Sequence, residues 1–301
     1  MRADGKAVVR PLRFDQFHAN IQGLYFGGCD HIHLSAGKKE FKGVKKAFES
    51  ALKHIHATGK MDGKMMADKP IKGLIKATFD VLKESMSEIK TVISDTIRNS
   101  FENDIFIFSG MKSYASLKEA AQLLKDPNGT IKPFEQFKKD IVDIDSTYNQ
   151  RYLESEYNYA VGSAQMADKW IQQEQTEGEY DLQYRTAGDD HVRPAHAKLA
   201  DITLPRTDKF WIKYYPPNDW GCRCLAVLVK TGKYTITDSK TANELGDVAT
   251  TRLDKDGNNA ADIFRYNPGM QKVIFPPNHP YTAKGNADKK EAKDTLTKKV
   301  K

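Results

Sequence analysis

Cysteine is scarce in this chain of 301 residues: there are three, Cys29, Cys222 and Cys224. An odd count, with two of them a single residue apart, makes no disulfide framework and suits a reducing compartment such as bacterial cytosol. No apolar run approaches the ~18 residues needed to cross a bilayer, and the opening MRADGKAVVRPLRF has no apolar signal segment. A soluble chain without an export signal is therefore expected. Also missing are a Walker-type phosphate loop, a dinucleotide fingerprint and a serine nucleophile elbow, so the commonest nucleotide-binding and hydrolase classes receive no support.

Charge is plentiful but unevenly placed. The formal net charge is +7, with 29% charged and 39% hydrophobic residues. That balance fits a globular centre with long solvated helices or arms. Between Lys38 and Lys76 eleven lysines face four acids, and between Lys284 and Lys301 seven face three. Lys38, Lys39, Lys42, Lys45 and Lys46, with Lys289 and Lys290 at the other end, are candidate contacts for nucleic acid or an acidic protein surface. Solvated helix faces would explain the same lysines without any partner.

The length allows one large domain or two small ones. Apolar spacing predicts a basic helix over 38–57, with Phe41, Val44, Phe48, Leu52 and Ile55 on one side and breaks at Gly59, Gly63 and Pro70. Ile75, Phe79, Leu82, Met86, Ile89 and Ile93 then alternate steps of four and three, extended by Ile97 and Phe101. This is close to the period of a coiled-coil seam. It predicts a long amphipathic helix, either packed on its own domain or joining a second copy as a homo-oligomer through 75–97. Asp126-Pro127-Asn128-Gly129 has the residues of a tight turn between a helix around 116–124 and a longer one from Pro133. That second stripe, from Phe137 through Tyr148, Leu153 and Tyr157 to Trp170 and Ile171, reads as core.

After Gly178 the helical rhythm fades and Pro, Gly and aromatics multiply; 225–229 and 272–275 look like strands. The fold class expected is α+β: a mainly helical N-terminal half with long amphipathic helices, then a compact turn-rich unit. The divisions are 1–100, basic and helical; 101–283, the main domain; and 284–301, a Lys-rich flexible tail.

Two clusters carry chemistry. Asp189-Asp190-His191-Val192-Arg193-Pro194-Ala195-His196 lies ahead of Trp211, Pro216-Pro217 and Trp220-Gly221-Cys222-Arg223-Cys224. His191, His196, Cys222 and Cys224 supply two imidazoles and two thiolates, a set suited to tetrahedral zinc in a structural role. Without metal, the cysteines would alternate along a strand while the tryptophans and prolines pack the core. Asp189, His191, Arg193 and His196 could instead act as acid–base and phosphate-binding groups of a nuclease or toxin-type effector. Or Arg185, Arg193 and Arg223 could pair with Asp189, Asp190 and Asp219 in a salt-bridge network. No cofactor is required, and structural Zn is the one the residues admit. Asp254-Lys255-Asp256-Gly257-Asn258 starts like a calcium loop, but its Gly comes early and the twelfth position is Arg265, so a turn is expected. Cys29-Asp30-His31-Ile32-His33 reads as a His-rich loop.

The blocks around Arg185, Asp189, Asp190, Arg193 and His196, and around Trp211, Pro216, Pro217, Trp220, Cys222, Arg223 and Cys224, resemble the core of the phage Mu F-like head morphogenesis proteins. The lead-in is similar too, with Phe108-Ser109-Gly110-Met111-Lys112-Ser113-Tyr114 and Tyr152-Leu153-Glu154-Ser155-Glu156-Tyr157. So are the closing segments Phe264-Arg265-Tyr266-Asn267-Pro268-Gly269 and Phe275-Pro276-Pro277-Asn278-His279-Pro280-Tyr281. The resemblance spans roughly 101–281 and leaves 1–100 unmatched. It implies a bacteriophage minor head protein, not an enzyme, acting in procapsid assembly beside the portal protein, with capsid or scaffold proteins as partners. It also implies a place in the virion, in the head interior or near the portal, after assembly in the host cytoplasm, with non-specific contact to phage DNA. A plain DNA-binding module is the remaining alternative.

Overall fold

The computed structural model describes residues 41–298. Its first helix, α1 (Lys42–Thr58), follows the apolar spacing: Val44, Phe48, Leu52 and Ile55 are buried, whereas Lys42, Lys45, Lys46 and Lys53 are exposed. Gly59 closes α1 in the left-handed region at φ 70°, where a residue without Cβ meets the least strain. A 3-10 turn (Gly63–Ala67) follows, and then α2 (Lys69–Lys83). Pro70 opens α2 rather than breaking it, because an N–H in the first helical turn has no partner to lose.

The stripe from Ile75 to Phe101 does not form one helix. α2 ends at Lys83, a 3-10 turn covers Glu84–Glu88, and Ile89 is extended. Helix α3 (Asp95–Ala121) begins anew at Ser94, whose hydroxyl accepts from the Ile97 N–H at 3.3 Å. Ile75, Leu82, Met86, Ile93 and Phe101 are buried all the same, in the chain's own core. This corrects the single long helix expected over 75–97 and agrees with the alternative in which the stripe packs on its own domain. A 3.5-residue period records which side chains are buried, and two helices joined by a bend can bury the same set.

The Asp126–Gly129 turn forms as expected, with Gly129 at φ 84° and Asp126 Oδ1 accepting from the N–H groups of Asn128 and Thr130. The helix read around 116–124 is the end of α3. Beyond Pro133 come α4 (Phe134–Asp140), α5 (Val142–Ser146), a π turn (Thr147–Tyr152) and α6 (Leu153–Gln175). The predicted stripe is interrupted at Ile141 yet still buries Phe137, Ile144, Tyr148 and Leu153.

Helix α6 is the wall shared by two hydrophobic clusters. Tyr159, Ala160 and Ala164 belong to the helical core with α1–α3, while Met166 and Trp170 belong to a second core built on a small sheet. That sheet is antiparallel, with β1 (Tyr180–Arg185) central between β2 (Thr203–Pro205) and β3 (Leu225–Lys230). The short helices α7 (Pro194–Ala197) and α8 (Phe210–Lys213) fall between the strands. After β3, α9 (Ser239–Ala249) adds Ala242 and Ala249 to the same core. Leu182 of β1 lies opposite Leu204 on one side and Leu228 on the other. Only β3 was legible in the sequence. In β1 both Gln183 and its apolar neighbours are buried, with Gln183 Nε2 donating to Thr203 Oγ1 at 2.9 Å, so the polar–apolar alternation gives no cue.

Residues 272–275 are not a strand. Lys272 caps the short helix α10 (Pro268–Gln271) at φ 55°. The N–H groups of Ile274 and Phe275 both donate to Asp104 Oδ2 at 2.9 Å, and Ile274 O accepts from Ser163 and Tyr266 hydroxyls. Side chains take the bonds that a neighbouring strand would have made. The Lys-rich end expected to be flexible forms helix α11 (Ala287–Thr297), which buries Lys289, Ala292 and Leu296 against the Gly63–Ala67 turn and α3. Asp288 anchors it, accepting from Gly63 N–H (2.7 Å) and Tyr114 Oη (2.8 Å) and pairing with Lys118. A polar composition hid a narrow apolar edge that two glycines admit. A Cβ on Gly63 would lie 2.5 Å from Ala292 N, and one on Gly110 2.5 Å from Leu296 Cδ1. No described helix is long and apolar enough to cross a membrane.

Candidate functional site

After β1 the chain runs through a turn at Gly188 (φ 73°) into the single-turn helix α7, which carries His196. Helix α8 then places Trp211, and the buried Pro216-Pro217-Asn218-Asp219-Trp220 segment leads to Gly221, at φ 65°. Cys222-Arg223-Cys224 leads from a turn, in which the Cys222 N–H donates to Asp219 O at 3.1 Å, into β3. Both thiols face His196, while Arg223 pairs with Asp189.

The inward side gathers three soft donors. His196 Nδ1 stands 3.7 Å from Cys222 Sγ and 3.8 Å from Cys224 Sγ, and all three donor atoms lie within 4.8 Å of one another. His196 and Cys224 are buried, Cys222 half-buried, and both cysteines are free thiols. His196 Nε2 is buried without a hydrogen-bond partner. The Cys224 thiol beside it, and then His196, hold Cys222 well below the usual thiol range; Cys224 is pushed up by Cys222 and by burial. Burial depresses the His196 imidazole, but the Cys222 sulfur outweighs it and the net shift is upward.

His191, expected as a fourth ligand, is not in this group. It is exposed and sits 3.6 Å from Asp190. Its loop ends in Pro194, which starts α7 and turns His196 inward, leaving the preceding residues on the surface.

The outward side is an ion-pair network in part as expected. Arg223 donates to both Asp189 oxygens at 2.6 and 2.7 Å. Arg193 donates to Trp220 O at 2.7 Å, with its Nε 3.8 Å from Asp219 Oδ2. Arg185 departs from the expectation, facing Asp201 at 3.8 Å and Tyr234 Oη at 3.3 Å. Asp219 also accepts from the Trp220 N–H and from Arg252, 3.3 Å away. Arg252 lies 33 residues on, and no local pattern announces it. The side chains of Asp189, His191, Arg193 and His196 thus do not converge on one point: they face Arg223, Asp190, Asp219 and the two cysteines respectively. The aromatics act as internal braces: Trp211 Nε1 donates to Pro205 O, and Trp220 packs on Tyr159 and Phe264.

Of the basic candidates, Lys42, Lys45 and Lys46 are exposed on α1. Lys290 is exposed but pairs with Asp294 at 2.8 Å. Lys289 is corrected: it is buried and donates to Pro280 O at 2.6 Å, which removes it from any binding surface. Lys38, Lys39 and the Cys29–His33 stretch lie outside the described residues. The Asp254–Asn258 segment is a turn, with Asp254 accepting from Asp256 and Asn258 N–H groups and Gly257 at φ 82°.

The chain is thus an α+β protein in which a helical wall carries a sheet unit braced by aromatics, ion pairs and a His–Cys–Cys cluster. Residues 129–227 match the family described as "Phage Mu protein F like protein", and that span contains the whole cluster. The resemblance read from the sequence holds there, over a narrower stretch than 101–281. A curated relative, "Putative capsid assembly protein F" of Escherichia phage Mu, is 26% identical over 152 residues, which are 48% of this chain and 32% of the relative. The match therefore spans about a third of that relative's length. No solved structure matches.

Proposed function

We propose that this chain is a minor structural component of a bacteriophage head and acts in head assembly. One observation carries the reading: residues 129–227 match the phage Mu F-like family, and the phage Mu relative is named for capsid assembly. The geometry supports a structural part. The motif residues Trp211, Pro216, Pro217, Trp220 and His196 are buried, so they brace the sheet unit instead of lining a cleft. Partners would be the portal protein and capsid or scaffold proteins, met during assembly in the host cytoplasm. The exposed lysines of α1 would add sequence-independent, salt-sensitive contact with packaged DNA. No catalytic step is part of the reading.

Particles of the virus encoding this chain test the proposal. Mass spectrometry should find its peptides in purified heads at low copy number, and disrupting its gene should leave heads unassembled or empty. Normal, filled heads without the protein would refute the assembly role. Filter binding of DNA by the purified chain should weaken steeply with salt, and lack of retention at low salt would remove the DNA contact alone.

A further inference from the structure

We infer that His196, Cys222 and Cys224 form a binding site for one thiophilic divalent cation of the zinc type, which pins α7 to the segment entering β3. The inference does not depend on the assembly role.

Three observations carry it. The first is spacing. A tetrahedral zinc with Zn–S near 2.3 Å and Zn–N near 2.0–2.1 Å separates its sulfur and nitrogen ligands by about 3.6 Å. The observed Nδ1–Sγ separations are 3.7 and 3.8 Å. Two edges of the donor triangle thus fit that tetrahedron, and all three donor atoms lie within 4.8 Å of one another. The second is the donor set: two thiols and an imidazole favour zinc or cobalt over magnesium or calcium, which take oxygen ligands.

The third is the state of the imidazole. His196 is 2% exposed. Its Nε2 has no partner, and its Nδ1 makes only weak contacts with the two sulfurs. Buried polar groups are ordinarily paired. A cation bound at Nδ1 would replace those weak sulfur contacts with a strong bond and leave the proton on Nε2.

No fourth His, Cys, Asp or Glu among the described residues joins the group. The fourth position therefore goes to water, on the side of the half-buried Cys222. Asp219, the nearby carboxylate, is occupied by Arg193, Arg252 and the Trp220 N–H and is not free to act as a base on that water. The site is structural: it joins chain segments 26 and 28 residues apart in a unit whose sheet has only three strands.

Metal analysis of the full chain, purified under reducing conditions with zinc supplied, provides the test. One zinc per chain is expected, and replacement by cobalt should produce the thiolate-to-cobalt charge-transfer band of a tetrahedral site. C222S and C224S should lose both signals, H191Q should keep them, and chelation should lower Tm. If the serine variants fail to fold, zinc protection of Cys222 and Cys224 in the wild-type chain against alkylation, located by mass spectrometry, replaces them. Absence of stoichiometric zinc with no cobalt–thiolate band overturns the inference. So does a Cys222–Cys224 disulfide in the reduced preparation, or full metal content in the C222S/C224S double variant.

Discussion

Lys112 of α3 and Glu156 of α6 form an ion pair inside the helical core, with Nζ 2.9 Å from Oε2 and the two side chains 2% and 0% exposed. Tyr148, Tyr152 and Tyr281 surround the ammonium, each ring centroid 5.4–5.7 Å from it. The pair ties together the two longest helices and the aromatic end of the closing segment. Burial drives the Lys112 amine below its ordinary value, and Glu156 opposes that.

Removing one partner strands the other charge in the core. E156Q or K112M should therefore cost about 3–5 kcal/mol, read as a lower urea midpoint at unchanged slope. The double replacement K112M/E156L should recover much of that loss, because two apolar side chains leave no buried charge. A double variant as unstable as the sum of the singles would show no coupling between the two side chains and refute the compensation.

Asp104 predicts a pH dependence of opposite sign to that of most carboxylates. Burial raises its pKa from 3.8 to about 6, against the pull of the Phe275 and Ile274 N–H groups. Between those values the folded chain holds a proton that the unfolded chain has released, so stability from this group falls as pH rises through the window. Outside it the contribution is level. The wild-type unfolding free energy minus that of D104N should decrease from pH 4 to pH 6, and a flat difference would contradict the assignment. D104A should cost about 1–3 kcal/mol at any pH, since two buried N–H groups lose their acceptor.

Glycine replacements separate a packed C-terminal helix from a frayed one. A Cβ at Gly63 would meet Ala292 N and Asp288 O, both backbone, at 2.5 Å. G63A should push α11 off, lowering Tm and opening 287–297 to limited proteolysis. Gly73 is exposed within α2, and a Cβ added there would meet nothing within 4 Å. G73A should therefore stabilise by about 0.5–1 kcal/mol through helix propensity. Equal protease resistance of G63A and G73A would count against the packing of α11.

The two aspartates of the ion-pair network should differ sharply. Asp219 is buried and takes a backbone N–H and two guanidinium groups, so D219A should cost about 2–3 kcal/mol. The Asp189–Arg223 pair is bidentate but exposed, and R223A should barely move the unfolding midpoint. A larger loss for R223A than for D219A would reverse the weighting given to burial here.

Where a helix buries one regular face, its sequence states as much: α1 and the Asp126–Gly129 turn could be read residue by residue. The apolar stripe into α6 was legible only in part, since it breaks at Ile141 and leaves Tyr157 half-buried. The motif blocks also pointed to a phage Mu F-like resemblance over roughly 101–281, of which 129–227 match that family, and the pairing of thiols with an imidazole was visible as chemistry. The second histidine was misassigned because His191 and His196 have the same local appearance, and only the direction taken by α7 distinguishes them.

The amino-acid order by itself determined which side chains avoid water, where tight turns fall and which donor types are on hand. The tertiary structure alone decided that the 75–101 stripe bends between two helices, that Asp104 takes the bonds a strand would have made at 274–275, and that a lysine-rich terminus packs against glycines 63 and 110. In the last two cases the deciding partner lies far along the chain. Burial and hydrogen bonding depend on neighbours in space, whereas periodicity and composition report only neighbours in sequence.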